Sequence, residues 1–257
     1  MSLPDILAVL SGAAVGLVLA LIGGGGSILA TPALLYVVGV SNPHLAIGTS
    51  ALAVSVNAFA NLINHARRGN VKWRCAMVFA AAGVIGAALG AALGKVTDAD
   101  VLLPLFALLM IVIGALMLRP RKNEGDGNVV LTRENAPKLI GYGLGAGALS
   151  GFFGIGGGFL IVPGLIGATG MSMIQAVGSS LFSVGSFGAT TAASYAIDGL
   201  VDWRIAGLFI GGGLIGGAAG ASFASRLAQQ RGALQRVFAG VVFAVAAYML
   251  WRSLGPY

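Results

Sequence analysis

The chain has 257 residues, of which 57% are hydrophobic and 9% charged. Soluble domains carry roughly 25% charged residues, so too little polar side-chain material is present to coat a water-facing surface, and a soluble fold is excluded. The net charge of +7, from 15 basic and 8 acidic residues, comes without the aromatic-interleaved basic patches of nucleic-acid binders. It reads instead as topogenic, because Lys and Arg collect in cytoplasmic loops of membrane proteins.

Apolar stretches run over 6–22, 27–40, 44–63, 75–94 and 101–118, then over 139–153, 158–170, 173–197, 205–224 and 237–251. Several reach the ~20 residues that a bilayer-spanning helix needs. The pattern predicts an all-α polytopic membrane protein. The opening Met-Ser-Leu-Pro-Asp has no basic run, and the first stretch reads as a retained helix rather than a signal peptide. The run Gly23–Gly26 and Ser27 then precede a stretch holding Thr31 and Pro32. As a helix, 27–40 would be only about 21 Å long, against a hydrocarbon core of ~30 Å. Its start therefore lies within the membrane, in either a re-entrant hairpin or an unequal crossing. The third stretch places Ser50, Asn57, Asn61 and Asn64 on one helical face. Gly83, Gly86 and Gly90 in the fourth read as small-residue packing positions. The single cysteine, Cys75, excludes an internal disulfide and a cysteine metal cluster.

After a polar linker the chain repeats itself. Gly25, Gly26 and Pro32 return 131 residues later as Gly156, Gly157 and Pro163. Gly48, Ser50, Gly69, Val71, Trp73 and Arg74 return 130 later as Gly178, Ser180, Gly199, Val201, Trp203 and Arg204. The division is a first membrane repeat (1–119), a linker (120–136) and a second membrane repeat (137–257). Equivalent loops carry opposite charge bias. Arg67, Arg68, Lys72 and Arg74 face a counterpart with only Arg204, whereas Lys95 alone faces Arg226, Arg231 and Arg236. That exchange predicts two inverted-topology repeats of about five helical segments each, with glycine-broken helices near the start of each repeat and the linker cytoplasmic.

A glycine run forgoes helix stability and frees backbone N–H groups, which inside hydrocarbon must meet protein, water or ligand. A helix beginning there turns its N–H groups and positive dipole end toward the break. The two breaks, Gly24, Gly25, Gly26 and Ser27 with Gly156, Gly157 and Gly158, thus make a candidate anion site. Thr49, Ser50, Asn57 and Asn61 from one half, and Ser179, Ser180 and Ser183 from the other, add uncharged donors. All eight acidic residues lie at segment ends or in loops, which argues against a carboxylate relay. No catalytic motif, cofactor-binding pattern or metal-ligand cluster is present in the sequence. The expected partners are a small anion and the lipid bilayer, with homo-oligomerisation left open.

The glycine breaks with Pro32 and Pro163, the Gly-Thr-Ser run at 48–50, the Gly-Ser-Ser run at 178–180 and the duplicated Gly-x-Val-x-Trp-Arg resemble the TauE/SafE sulfite exporter family. The resemblance spans essentially the whole chain outside the linker. It implies a multi-pass protein of the bacterial or archaeal inner membrane that moves sulfite or an organosulfonate. Together with the duplicated glycine breaks, the expectation is a secondary transporter working by alternating access at a midplane site that the two breaks form. A channel-like anion permease and a non-transport assembly or sensing role are the alternatives.

Overall fold

A computed structural model of the chain describes residues 2–22, 24–118, 127, 129–155, 158–227 and 231–254. Among these the secondary structure is helical. Helix α1 (Leu3–Ile22) leads into a 3-10 turn (Gly24–Leu29), the short α2 (Ala30–Pro32) and a π-helical turn (Ala33–Val38). Then come α3 (Pro43–Arg67), α4 (Trp73–Val96) and α5 (Ala99–Leu118). The second half holds α6 (Ala136–Phe153), α7 (Gly158–Thr169), α8 (Met173–Ile197), α9 (Trp203–Leu227) and α10 (Arg231–Leu254). The ten helical segments follow the ten apolar stretches in order.

Among the described residues, four helices are long and apolar enough to cross a bilayer, over Leu3–Leu21, Pro43–Arg67, Trp73–Val96 and Ala99–Leu116. Gly26–Val38, Leu160–Thr169 and Ala239–Arg252 are shorter apolar helices. Local chemistry sets several starts. The Asn42 carboxamide accepts from the backbone N–H groups of His44 and Leu45 ahead of Pro43, which joins an N-cap to a proline at the first turn.

The segment after the first glycine run departs from the single short helix expected. It passes from 3-10 through α to π geometry around Pro32, whose ring nitrogen has no hydrogen to donate. Gly26 brings this segment hard against α1, since a Cβ there would stand 2.6 Å from the Leu19 backbone nitrogen.

The two halves interleave. Helix α1 packs beside α9, and α4 beside α6, each pair running parallel on a seam of glycines. In the first seam Gly12 and Gly16 lie against the backbone of Phe209 and Gly213, and Gly216 against Ala13. In the second, Gly143 and Gly147 lie against Phe79 and Gly83, and Gly86 against Leu144. Every one of these contacts maps onto its counterpart through the repeat offset. Helices α3 and α8 cross antiparallel at the centre. The Ser55 hydroxyl donates to the Gly185 carbonyl at 2.7 Å, Gly188 faces Ala51, and Gly185 faces Phe59. Helix α5 packs on α10.

Of the linker, residues 120–126 and 128 lie outside the described residues. Its Gly127 carbonyl accepts from Gln175 Nε2 at 2.7 Å, at the start of α8.

Candidate functional site

The described residues flanking both breaks, Ser27 and Ile28 at the first and Ile155 at the second, are buried. Helix α6 ends at Gly154, which adopts a left-handed φ of 67° and donates its N–H to the Ser150 carbonyl. The Ile155 N–H reaches the same carbonyl at 3.3 Å. Glycine tolerates this conformation without the Cβ penalty that other residues meet. Ile155, from the second break, and Ile28, from the first, are both fully buried in one apolar cluster with Ile47. Of the predicted break residues, Gly24, Gly25 and Gly26 fall in the 3-10 turn, as does the fully buried Ser27. Gly158 opens α7. Gly156 and Gly157 lie outside the described residues.

Ser50 joins the first broken segment to the second break. Its hydroxyl is 2.8 Å from Thr31 Oγ1, donates to the Ile47 carbonyl at 3.0 Å, and has the Gly154 carbonyl 3.4 Å away. All three polar side-chain and backbone contacts are buried. Its counterpart Ser180 donates to the Val177 carbonyl at 2.8 Å, the same local bond in the second half.

Thr49 and Ser179 form a reciprocal pair at the loops. Thr49 Oγ1 accepts the Asp202 backbone N–H at 2.9 Å, and Ser179 Oγ accepts the Lys72 backbone N–H at 2.9 Å. Each hydroxyl thus ties down the loop of the opposite half. Thr49→Val and Ser179→Ala should each lower stability by about 1 kcal/mol, the usual net value of one such bond. Chemical denaturation in detergent would check this, and the two losses should be similar.

Asn57 and Asn61 lie on the face of α3 that meets α9. Asn61 Nδ2 donates to the Asn57 carbonyl at 3.0 Å. The Asn57 carboxamide is 1% exposed and finds no protein partner for either of its polar atoms. It fills the space over Gly213, where any Cβ would overlap it. In the other half the equivalent space over Gly83 is filled by Phe187, the residue 130 positions after Asn57. Ser183, Ser150, Thr191 and the Tyr195 hydroxyl are also fully buried without a protein partner. The last three were not among the predicted site residues. Thr191 stands 130 after Asn61, so the repeat offset carried a signal for it. Ser150 replaces the repeat's Leu19, a departure that also marked it.

The described residues contain no group of three or more metal-ligating side chains. At segment ends Lys95 pairs with Asp198 at 2.5 Å and Arg204 with Asp5 at 2.8 Å. Neither reaches the buried polar cluster.

The family model for the sulfite exporter TauE/SafE matches residues 8–249. A probable membrane transporter protein of Xylella fastidiosa (strain Temecula1) is 55% identical over 245 residues, covering 95% of this chain and 94% of its own. The probable membrane transporter protein YunE of Bacillus subtilis is 28% identical over 238 residues, covering 84% and 87%. ORF9 of a Sinorhizobium species, of the same description, is 31% identical over 224 residues, covering 82% and 78%. No solved structure matches the chain significantly. A helical bundle with membrane-length apolar helices and this whole-chain similarity place the chain in the TauE/SafE family of membrane transporters.

Proposed function

We propose that the chain moves a small oxyanion, sulfite or an organosulfonate, across the inner membrane by alternating access, and that the two glycine breaks hold the anion between them. The observation that carries this reading is Ser50, whose hydroxyl stands between Thr31 of the first broken segment and Gly154 of the second break. A hydroxyl at that junction can turn its proton to an incoming oxygen, as can the unpaired hydroxyls of Ser183 and Ser150. Uncharged donors bind an oxyanion without the cost of a buried fixed charge. Gly24, Gly25, Gly26 and Ser27 on one side, and Gly156, Gly157 and Gly158 on the other, would add backbone N–H groups. Ser180, Asn57 and Asn61 would line the approach. The choice of sulfur as the central atom rests on the family description.

Inverted topology accompanies this reading. Helices α3 and α8 are repeat equivalents, and they meet antiparallel at Ser55 and Gly185. Equivalent helices related by an axis along the membrane normal would run parallel. With the charge exchange between loops, this supports two halves related by a pseudo-two-fold axis in the membrane plane and a cytoplasmic linker.

Radiolabelled sulfite counterflow in proteoliposomes tests the reading, with sulfate and taurine as competitors. Ser50→Ala should raise the half-saturating sulfite concentration about tenfold or more, the scale of a lost hydrogen bond to a charged group. Wild-type protein without saturable sulfite flux, or a Ser50→Ala variant that behaves as wild type, would remove the proposed site. Anion current without counterflow would favour a channel-like path.

A further inference from the structure

A cleft of about 520 Å³ opens between α1, the broken segment 24–38 and α10. Its walls are apolar, formed by Ala14 and Val15 of α1, Pro32 of the broken segment, and Val241 and Val245 of α10. Tyr36 and Tyr248 stand at one end, with rings edge to face at 5.2 Å. From Tyr248 to Val241 the α10 wall runs about 10 Å along its axis, at 1.5 Å per residue. The groove thus extends from an aromatic end toward the depth of the glycine break. Ala14 is exposed, as are Val37 at 50% and Val241 at 43%, so the space opens sideways, where a membrane protein meets hydrocarbon.

The aromatic end carries a cation. The Arg252 guanidinium lies 5.5 Å from the centre of the Tyr36 ring and donates to the Tyr248 hydroxyl at 3.3 Å. Trp251 stands beside Tyr248 and is 74% exposed. Tyr and Trp gather at the headgroup level of membranes, and Arg does so with its charge toward phosphate. Among the described residues no carboxylate pairs with Arg252, so its charge is available.

The second half has filled the corresponding place. Ser11 of the cleft corresponds to Tyr142 in the repeat, and Ala33 and Tyr36 to Gly164 and Gly167. The Tyr142 side chain covers those glycines, with its Cβ 3.4 Å from where a Cβ on Gly164 would sit and its hydroxyl 3.7 Å from one on Gly167. In the first half the small Ser11 leaves the groove open, and the aromatic has moved to Tyr36 at its end. One half covers this surface with its own side chain, and the other leaves room for a guest.

We propose that this cleft is a binding site for one anionic phospholipid, with an acyl chain between α1, Pro32 and α10 and the headgroup phosphate at Arg252. The occupant would brace the back of the first broken segment, on the side away from Ser50. An acyl chain matches the apolar walls, and an anionic head matches the guanidinium beside two tyrosines. A second copy of the chain would have to present an anionic group at the same height to satisfy Arg252.

The test uses the full-length protein purified in detergent, delipidated, and titrated with phosphatidylglycerol or phosphatidylcholine. Bound lipid is counted by native mass spectrometry and melting is followed in parallel. The wild type should retain one phosphatidylglycerol in preference to phosphatidylcholine and melt higher with it. Arg252→Gln should reduce that preference about fivefold, the effect of one basic residue near an anionic lipid. Ala14→Phe should remove retention of both lipids by filling the cleft, and Val245→Phe serves if the first plug does not fold. Equal retention of the two lipids by the wild type would overturn the proposal, as would undiminished phosphatidylglycerol binding in a folded plugged variant. A Val241→Cys variant that cross-links fully as a dimer, with no lipid retained, would assign the cleft to a second copy and overturn it as well.

Discussion

Replacing Gly16 with leucine is expected to abolish the folded protein, and Gly147→Leu is expected to do the same. These residues occupy equivalent places in the two glycine seams, where helix backbones approach without side chains between them. A Cβ on Gly16 would overlap the Gly213 carbonyl, and one on Gly147 would overlap the Gly83 carbonyl. The obstacle in each case is backbone, which cannot rotate aside as a side chain can. The helices would have to part along the whole seam, losing the close contact that drives helix association in lipid. Even Gly16→Ala should cost about 3 kcal/mol, the upper end of ordinary overpacking penalties. Gly145→Leu on α6 is the control, because nothing lies within 4 Å of a Cβ there, and it should melt close to wild type. Size-exclusion profiles and melting temperatures in detergent check the set. A Gly16→Leu variant that melts with the wild type would contradict the seam.

These seams show how far the sequence could be read. Gly83, Gly86 and Gly90 stood out as packing positions, because small residues at helical spacing have few other uses in a membrane helix. Their partners were not legible. Nothing in the spacing within one half says that α4 lies against α6 of the other half, and only the three-dimensional arrangement supplies it. The apolar stretches located the segments well because hydrocarbon imposes a length and a composition on each. The sequence of 3-10, α and π turns over 24–38 was hidden, since Pro32 and the glycines announce a break without specifying the geometry that replaces a regular helix.

The candidate site was legible in part for a related reason. The repeat drew attention to Ser50 and Ser180, and both make the same bond to the carbonyl three residues earlier. Their further partners differ: Ser50 also meets Thr31 and Gly154. A hydroxyl pair read as donors to an anion can equally hold a loop, and Thr49 and Ser179 accept loop N–H groups across the repeat. Residue type gives the capacity to hydrogen-bond, and the fold decides with whom. The same limit applies to Phe187 and Asn57. The sequence shows a polar residue and a phenylalanine at equivalent places, but not that both cover a glycine of the neighbouring helix.

Asn57→Leu is expected to make the protein more stable and less active at once. Both polar atoms of the Asn57 carboxamide are buried without a protein partner, a state that costs about 1–3 kcal/mol when no water or ligand relieves it. Leucine has a similar branched shape and no polar atoms, and so removes that cost while still filling the space over Gly213. The counterpart Phe187 shows that an apolar side chain is accepted over the equivalent Gly83. If Asn57 served only to hold helices together, its loss would lower stability. If it lines the anion's approach, the variant should melt at or above the wild-type temperature while sulfite counterflow falls about tenfold, as for a lost hydrogen bond to charge. Asn57→Gln, longer by one methylene against Gly213, should lose stability because the space is already full. A destabilised Asn57→Leu protein with full transport would reverse the assignment and make the carboxamide a structural contact. The double measurement matters because an unpaired buried amide on an otherwise glycine-lined seam costs the fold stability. Retaining it there is intelligible if the amide meets water or substrate during transport.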